Sequence, residues 1–138
     1  MALIDLDHFK QINDRFGHAV GDKVLVEVGQ QLRENSRSSD VLARIGGEEF
    51  LIVFADMPPE QALEVCERLR ARVAGHDWSV HAAGLGATLS VGVAHAPPYD
   101  LATLFDQADR AMYRAKRATG KPVAIARPRR SKGAGRAA

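Results

Sequence analysis

The sequence predicts an α+β domain, strands and helices interleaved around one sheet. Three observations carry that class: short apolar runs of strand length, longer stretches with apolar residues at helical spacing, and a glycine-bearing turn between two of the runs. Ala2-Leu3-Ile4 is a first strand, ending at the acidic Asp5-Leu6-Asp7. A short helix follows and stops near Gly17. A longer one over residues 22–35 puts Val24, Leu25, Val28 and Leu32 on one apolar face. Residues 41–45 and 50–54 are strands of a hairpin whose turn contains Gly46-Gly47-Glu48-Glu49. Pro58-Pro59-Glu60 opens a third helix, since proline is tolerated in a first turn, and Ala62, Cys66, Leu69 and Val73 line its apolar face. Residues 78–81 and 87–95 read as two strands. Asp100 caps a last helix carrying Leu101, Leu104, Phe105, Ala108, Met112 and Ala115, and residues 123–126 close the fold as a strand. This order predicts a sheet with its helices on one face.

Composition sets the bounds. At 138 residues the chain is one domain, long enough to bury a sizeable core. No apolar run approaches the roughly 20 residues of a membrane span, and the first residues lack the build of a signal peptide. The single cysteine, Cys66, has no internal disulfide partner and falls on an apolar helical face, which suits core packing and a reducing cytoplasm. Five scattered histidines show no zinc-ligand spacing. Charge divides the chain in two. Arg127, Arg129, Arg130, Lys132 and Arg136 stand in residues 127–138 with no acid, so removing their five charges from the net +2 leaves −3 over residues 1–126. The expected domain is therefore 1–126, followed by a basic, disordered tail at 127–138 with no specific nucleic-acid partner.

Two acidic clusters stand out. Glycines at 46 and 47 permit φ > 0 and let a ligand lie against the backbone, while the adjacent Glu48 and Glu49 repel each other unless a cation or proton compensates. An isolated G-G-E-E reads first as a solvated polar turn. The other cluster, Asp5-Leu6-Asp7, ends a strand, where a carboxylate can point into the crevice beyond the sheet. Read alone, Asp7 is an N-cap for the helix beginning near His8. If the first strand lies beside the hairpin, Asp5 and Glu48 or Glu49 converge as hard oxygen ligands for Mg²⁺ or Mn²⁺.

Several separated motifs stand in register. Asp5-Leu6-Asp7-His8-Phe9-Lys10-Gln11-Ile12-Asn13-Asp14, Phe16-Gly17-His18, Gly21-Asp22 and Gly46-Gly47-Glu48-Glu49-Phe50 resemble the GGDEF family of diguanylate cyclases, in its GGEEF form. Thr88-Leu89-Ser90-Val91-Gly92-Val93-Ala94 is similar to the family's central strand, and residues 108–116 to its last helix. The resemblance implies the elaborated ferredoxin-like palm of nucleotidyl cyclases, with helices packed on its sheet. It also implies an activity: condensation of two GTP into cyclic di-GMP with release of two pyrophosphates, by two domains facing one another as a homodimer.

Roles follow the motif positions. The resemblance implies that Asp5, the Leu6 carbonyl and Glu48 hold the catalytic Mg²⁺ or Mn²⁺. Glu48, with Glu49 beside it, is the implied proton acceptor, and Lys10 steadies phosphate charge in the transition state. Asn13 and Asp22, with His18 nearby, correspond to guanine contacts, Gly46 and Gly47 to the substrate-facing turn, and Lys116 to a triphosphate-binding lysine. Arg44 fits either a phosphate contact or a surface strand residue. Arg37-Ser38-Ser39-Asp40 matches the family's inhibitory R-x-x-D site for cyclic di-GMP, and Arg68 its secondary arginine.

Departures from the family keep alternatives open. Its usual N-terminal helix and the segment before the first strand are not in this sequence, so the domain is expected to be N-terminally truncated, with an upstream sensory domain in a full-length protein. The loop after Lys116 is one residue longer than usual, and Lys121 stands where an arginine is frequent. Beside the cyclase stand two alternatives: a non-catalytic module that binds GTP or cyclic di-GMP, and an inactive fragment.

Overall fold

A computed structural model describes residues 1–97, 99–117 and 123–126. The expected basic tail and Lys121 lie outside them. Five strands form one sheet in the order β2-β3-β1-β4-β5, where β1 is Ala2–Leu6, β2 Val41–Arg44, β3 Glu49–Val53, β4 Leu89–Val93 and β5 Val123–Ile125. All neighbours are antiparallel except β4 and β5. The helices are α1 (Phe9–Phe16), α2 (His18–Glu34), α3 (Pro59–Gly75) and α4 (Leu101–Arg117). No helix among the described residues is long and apolar enough to cross a membrane.

The core corrects the one-face expectation. Successive residues of β1 point to opposite sides, as strand geometry requires. Ala2, Ile4 and Leu6 pack with residues of α1, α2 and α3, whereas Leu3 packs with Leu104, Ala108 and Met112 of α4. The sheet therefore carries helices on both faces, which is why every residue of β4 is buried. Gly92 of β4 makes this possible. A Cβ there would stand 2.0 Å from the Ala108 carbonyl oxygen and 2.2 Å from the Met112 nitrogen, so α4 rests directly on bare strand backbone.

The apolar spacing in α2 and α3 is realised: Val24, Leu25, Val28 and Leu32 are buried, as are Ala62, Cys66, Leu69 and Val73. Burial pushes the Cys66 thiol up to about 12, which leaves it a core residue and not a nucleophile. Asp100 does cap α4, accepting from the Thr103 N–H at 3.1 Å and from its hydroxyl. The expected strand at residues 78–81 is instead a 3₁₀ turn, Trp78–Val80. Its cause is local: Trp78 Nε1 donates to the Val73 carbonyl (2.8 Å), burying the ring against the end of α3, and Asp77 accepts from the Ser79 N–H (3.1 Å).

Candidate active site

The site sits where β1 stops. Strand pairing sets Asp5 opposite Glu49 on one side and opposite Ser90 on the other. The Leu6 N–H donates to the Glu48 carbonyl (3.1 Å), and the Asp7 N–H to the Thr88 carbonyl (2.9 Å). The β2–β3 turn is closed by the Ile45 N–H donating to the Glu49 carbonyl at 3.0 Å. Arg44 resolves here as a turn residue, donating from Nε to the Gly46 carbonyl (3.2 Å) and from Nη2 to that of Gly47 (2.8 Å). Neither Gly46 nor Gly47 takes a positive φ, contrary to the conformational reason first given for them. What Gly47 supplies is open space, with no atom within 4 Å of where a Cβ would stand.

Asp5 is an incompletely compensated acid. Its Oδ2 lies 3.3 Å from Lys116 Nζ, but Oδ1 is buried with no hydrogen-bond partner. Burial pushes its carboxyl above the ordinary range; the Lys116 charge opposes the rise, and Glu48 and Glu49 add to it. Asp7 differs, because both of its oxygens are engaged: Thr88 Oγ1 donates to Oδ2 (2.8 Å), and Ser90 Oγ donates to Oδ1 (2.6 Å). Lys116 Nζ also lies 3.3 Å from Asp7 Oδ1. Asp7 is therefore not the N-cap of α1, a position held by His8 with φ 55° and no side-chain cap bond.

No three His, Cys, Asp or Glu side chains close into a ready metal cage among the described residues. The donors fit a divalent cation held another way, by few carboxylates and by nucleotide phosphates, which is the usual arrangement for Mg²⁺. The orphaned Asp5 Oδ1 is the oxygen such a cation would meet.

The helices α1 and α2 meet at Asn13 and Gly21. Asn13 Oδ1 is buried and unpartnered, and a Cβ on Gly21 would fall 1.9 Å from it. Gly21 thus leaves room for a polar atom waiting for a donor, next in sequence to the exposed Asp22. His18 is exposed in the first turn of α2, and Lys10 is exposed in the first turn of α1.

The family model described as diguanylate cyclase, GGDEF domain, matches residues 1–122. The chain belongs to the GGDEF family. DgcP, a diguanylate cyclase of Pseudomonas aeruginosa, is 41% identical over 119 residues, which cover 86% of this chain and 18% of DgcP. The chain thus spans under a fifth of that relative's length. Among solved structures, the active GGEEF domain of a diguanylate cyclase from Vibrio cholerae superposes with TM-score 0.82 at 35% identity, over 92% of this chain and 81% of that one. The GGDEF domain of DgcB from Caulobacter crescentus, in complex with c-di-GMP, superposes with TM-score 0.83 at 30% identity, over 91% and 75%. The fold is the palm of GGDEF cyclase domains.

Within this GGDEF domain, the R-x-x-D segment is a self-bonded corner. Arg37 Nη2 donates to Asp40 Oδ1 (3.2 Å) and to the Ala55 carbonyl (2.6 Å), and the Arg37 N–H donates to Asp40 Oδ2 (2.9 Å). Arg68 is exposed on α3 and lines a small cavity of about 80 Å³ with Asn35, Val65, Leu69 and Arg72. The structure brings together Asp5, Glu48, Glu49 and Lys116, and sets Asn13 beside Gly21. Sequence reasoning missed the engagement of Asp7 by Thr88 and Ser90, 81 and 83 positions away.

Proposed function

We propose that this domain, residues 1–126, condenses two GTP into cyclic di-GMP and two pyrophosphates. The observation that carries the reading is the pairing of the GGEEF hairpin with β1, which sets Glu49 opposite Asp5 and Glu48 against Leu6, with a buried oxygen of Asp5 left unpartnered. Asp5, Glu48 and the Leu6 carbonyl hold Mg²⁺ or Mn²⁺. Bound there, the cation supplies charge stabilisation on the nucleotide phosphates. Asn13 and Asp22, with His18 at the rim, read the guanine edge, since an amide and a carboxylate offer the matching acceptors and donors. The 3′-hydroxyl of one GTP forms a bond to the α-phosphorus of the other as the bond to pyrophosphate breaks. Glu48 takes the hydroxyl proton, with Glu49 beside it. Lys10 and Lys116 balance charge on the phosphates, and the reverse attack closes the ring.

Each domain holds one GTP, so two domains meet as a two-fold pair. Arg37 and Asp40, with Arg68, take the product and inhibit the enzyme, Arg37 leaving its partners to fork onto the ligand. Upstream regions of a longer protein, such as a sensory domain, would bring two domains together. The test is mass spectrometry of products from the purified chain with GTP and Mg²⁺. Cyclic di-GMP formed at a rate per chain that climbs with chain concentration supports the reading. Binding of GTP without any product, at every chain concentration, sinks the catalytic part and leaves a nucleotide-binding module.

A further inference from the structure

Ser90 is a polar residue buried to 3% exposure in a strand otherwise made of Leu89, Val91, Gly92 and Val93. A hydroxyl in such a place is costly unless it is hydrogen-bonded. Ser90 Oγ donates to Asp7 Oδ1 at 2.6 Å, and Thr88 Oγ1, two residues back on the same side of the chain, donates to Asp7 Oδ2 at 2.8 Å. The Asp7 N–H is tied to the Thr88 carbonyl as well. Asp7 is thus fixed by backbone and by two hydroxyls, and it also lies 3.3 Å from the Lys116 ammonium.

The neighbouring Asp5 is the opposite case. It shares the same ammonium at 3.3 Å, yet keeps one oxygen without a partner. A cation arriving at Asp5 would compete with Lys116 for that carboxylate but not for Asp7, whose bonds to Thr88 and Ser90 stay intact. The lysine would then remain at the site on one anchor instead of two.

From this we infer that Asp7 is a positioning residue and not a metal ligand: pinned by Thr88 and Ser90, it keeps the Lys116 ammonium beside Asp5, where the triphosphate of GTP meets it. The inference rests on the GTP reading above. It assigns Thr88 and Ser90 a purpose, that of aiming a lysine from the last helix through an acid on the first strand.

The test combines Asp7→Asn, Ser90→Ala and Lys116→Met with two readouts. One is the affinity for GTP with Mg²⁺, by calorimetry. The other needs no nucleotide: the rate at which acetic anhydride acylates Lys116, followed by peptide mass spectrometry, because an ion-paired ammonium acylates slowly. Asp7→Asn should lower GTP affinity about tenfold, as expected for loss of one charge-assisted contact, and should speed Lys116 acylation several-fold. Ser90→Ala, the gentler variant if Asp7→Asn folds poorly, should shift both in the same direction by less. In a Lys116→Met background, Asp7→Asn should cost no further affinity.

Equal GTP affinities of wild type and Asp7→Asn overturn the positioning role alone. Losses that add in the double variant overturn it too, since Asp7 then acts on the metal or nucleotide directly. A wild-type chain that binds no GTP sinks the functional reading and the positioning role with it, whatever the acylation rates.

Discussion

Two carboxylates, Asp5 and Asp40, stand at different corners of the sheet and are both largely hidden, with side chains 13% and 2% exposed. Their surroundings differ. Asp40 accepts from the Arg37 backbone and guanidinium and from the Ala55 N–H (3.4 Å), so its charge is answered on every side. Burial works against that charge, but these bonds and the Arg37 charge win and hold its carboxyl below the ordinary range. Asp5 has one lysine, two acids nearby and an orphaned oxygen, and its carboxyl is held above it. The lesson is one of completeness. The Asp40 corner is finished by the protein itself, and a ligand there must displace existing bonds; at the Asp5 corner the protein leaves one oxygen without a partner.

The largest effect expected from this contrast is on catalysis at the unfinished corner. Glu48→Ala should cut cyclic di-GMP synthesis about a thousandfold or more, the scale for loss of a reacting group, while its melting temperature stays near that of wild type. A Glu48→Ala variant with substantial turnover breaks the assignment of that corner as the catalytic one. At the finished corner the expected effect is regulatory. Arg37→Ala should raise the cyclic di-GMP concentration for half-inhibition about tenfold, the worth of a charge-assisted contact, and an unchanged inhibition curve would remove product binding from that corner.

These contrasts were only partly legible in the sequence. Asp5, Glu48 and Glu49 were readable because strand ends and hairpin turns are local features, and β1 and the hairpin do pair. The helices of residues 18–34 and 59–75 were readable from spacing, because their apolar faces repeat at 3.6 residues. The side of the sheet taken by α4 was not, since periodicity says that a helix has an apolar face but not which layer it covers. The unbroken apolar runs Ala2-Leu3-Ile4 and Val91-Gly92-Val93-Ala94 were the available signal, as strands covered on both faces lose their alternation. Asp7 was misjudged as a helix cap because its true partners, Thr88 and Ser90, lie more than 80 positions away. The Trp78 turn was misjudged because one indole hydrogen bond outweighed strand propensity.

A smaller effect concerns stability. Asp40→Asn should cost about 1 kcal/mol, the net scale of a hydrogen bond, read from denaturant midpoints at unchanged slope. A neutral result would mean that the corner is less complete than its distances indicate.

The smallest effect is on pH dependence, where the two acids push in opposite directions. Asp5, with its carboxyl raised on folding, contributes stability that is complete below the ordinary carboxylate value and lost as pH climbs through its raised native value. Asp40, with its carboxyl lowered, contributes stability present above the ordinary value and lost as pH falls through its lowered native value. Comparing pH–stability curves of wild type with Asp5→Asn and Asp40→Asn separates them. Removal of Asp5 should flatten the loss on the rising side, and removal of Asp40 the loss on the acid side. The same sign on both curves would contradict the contrast.

The most direct test of the unfinished corner is the melting temperature of wild type and Asp5→Asn, each with and without GTP and Mg²⁺. Without ligand, Asp5→Asn should melt no lower than wild type. With saturating GTP and Mg²⁺, wild type should gain several degrees, as ligand at 100 times its Kd adds about 2.7 kcal/mol, and Asp5→Asn should gain little. A variant that is destabilised without ligand, or that gains as much as wild type with it, would show that Asp5 is a structural acid like Asp40.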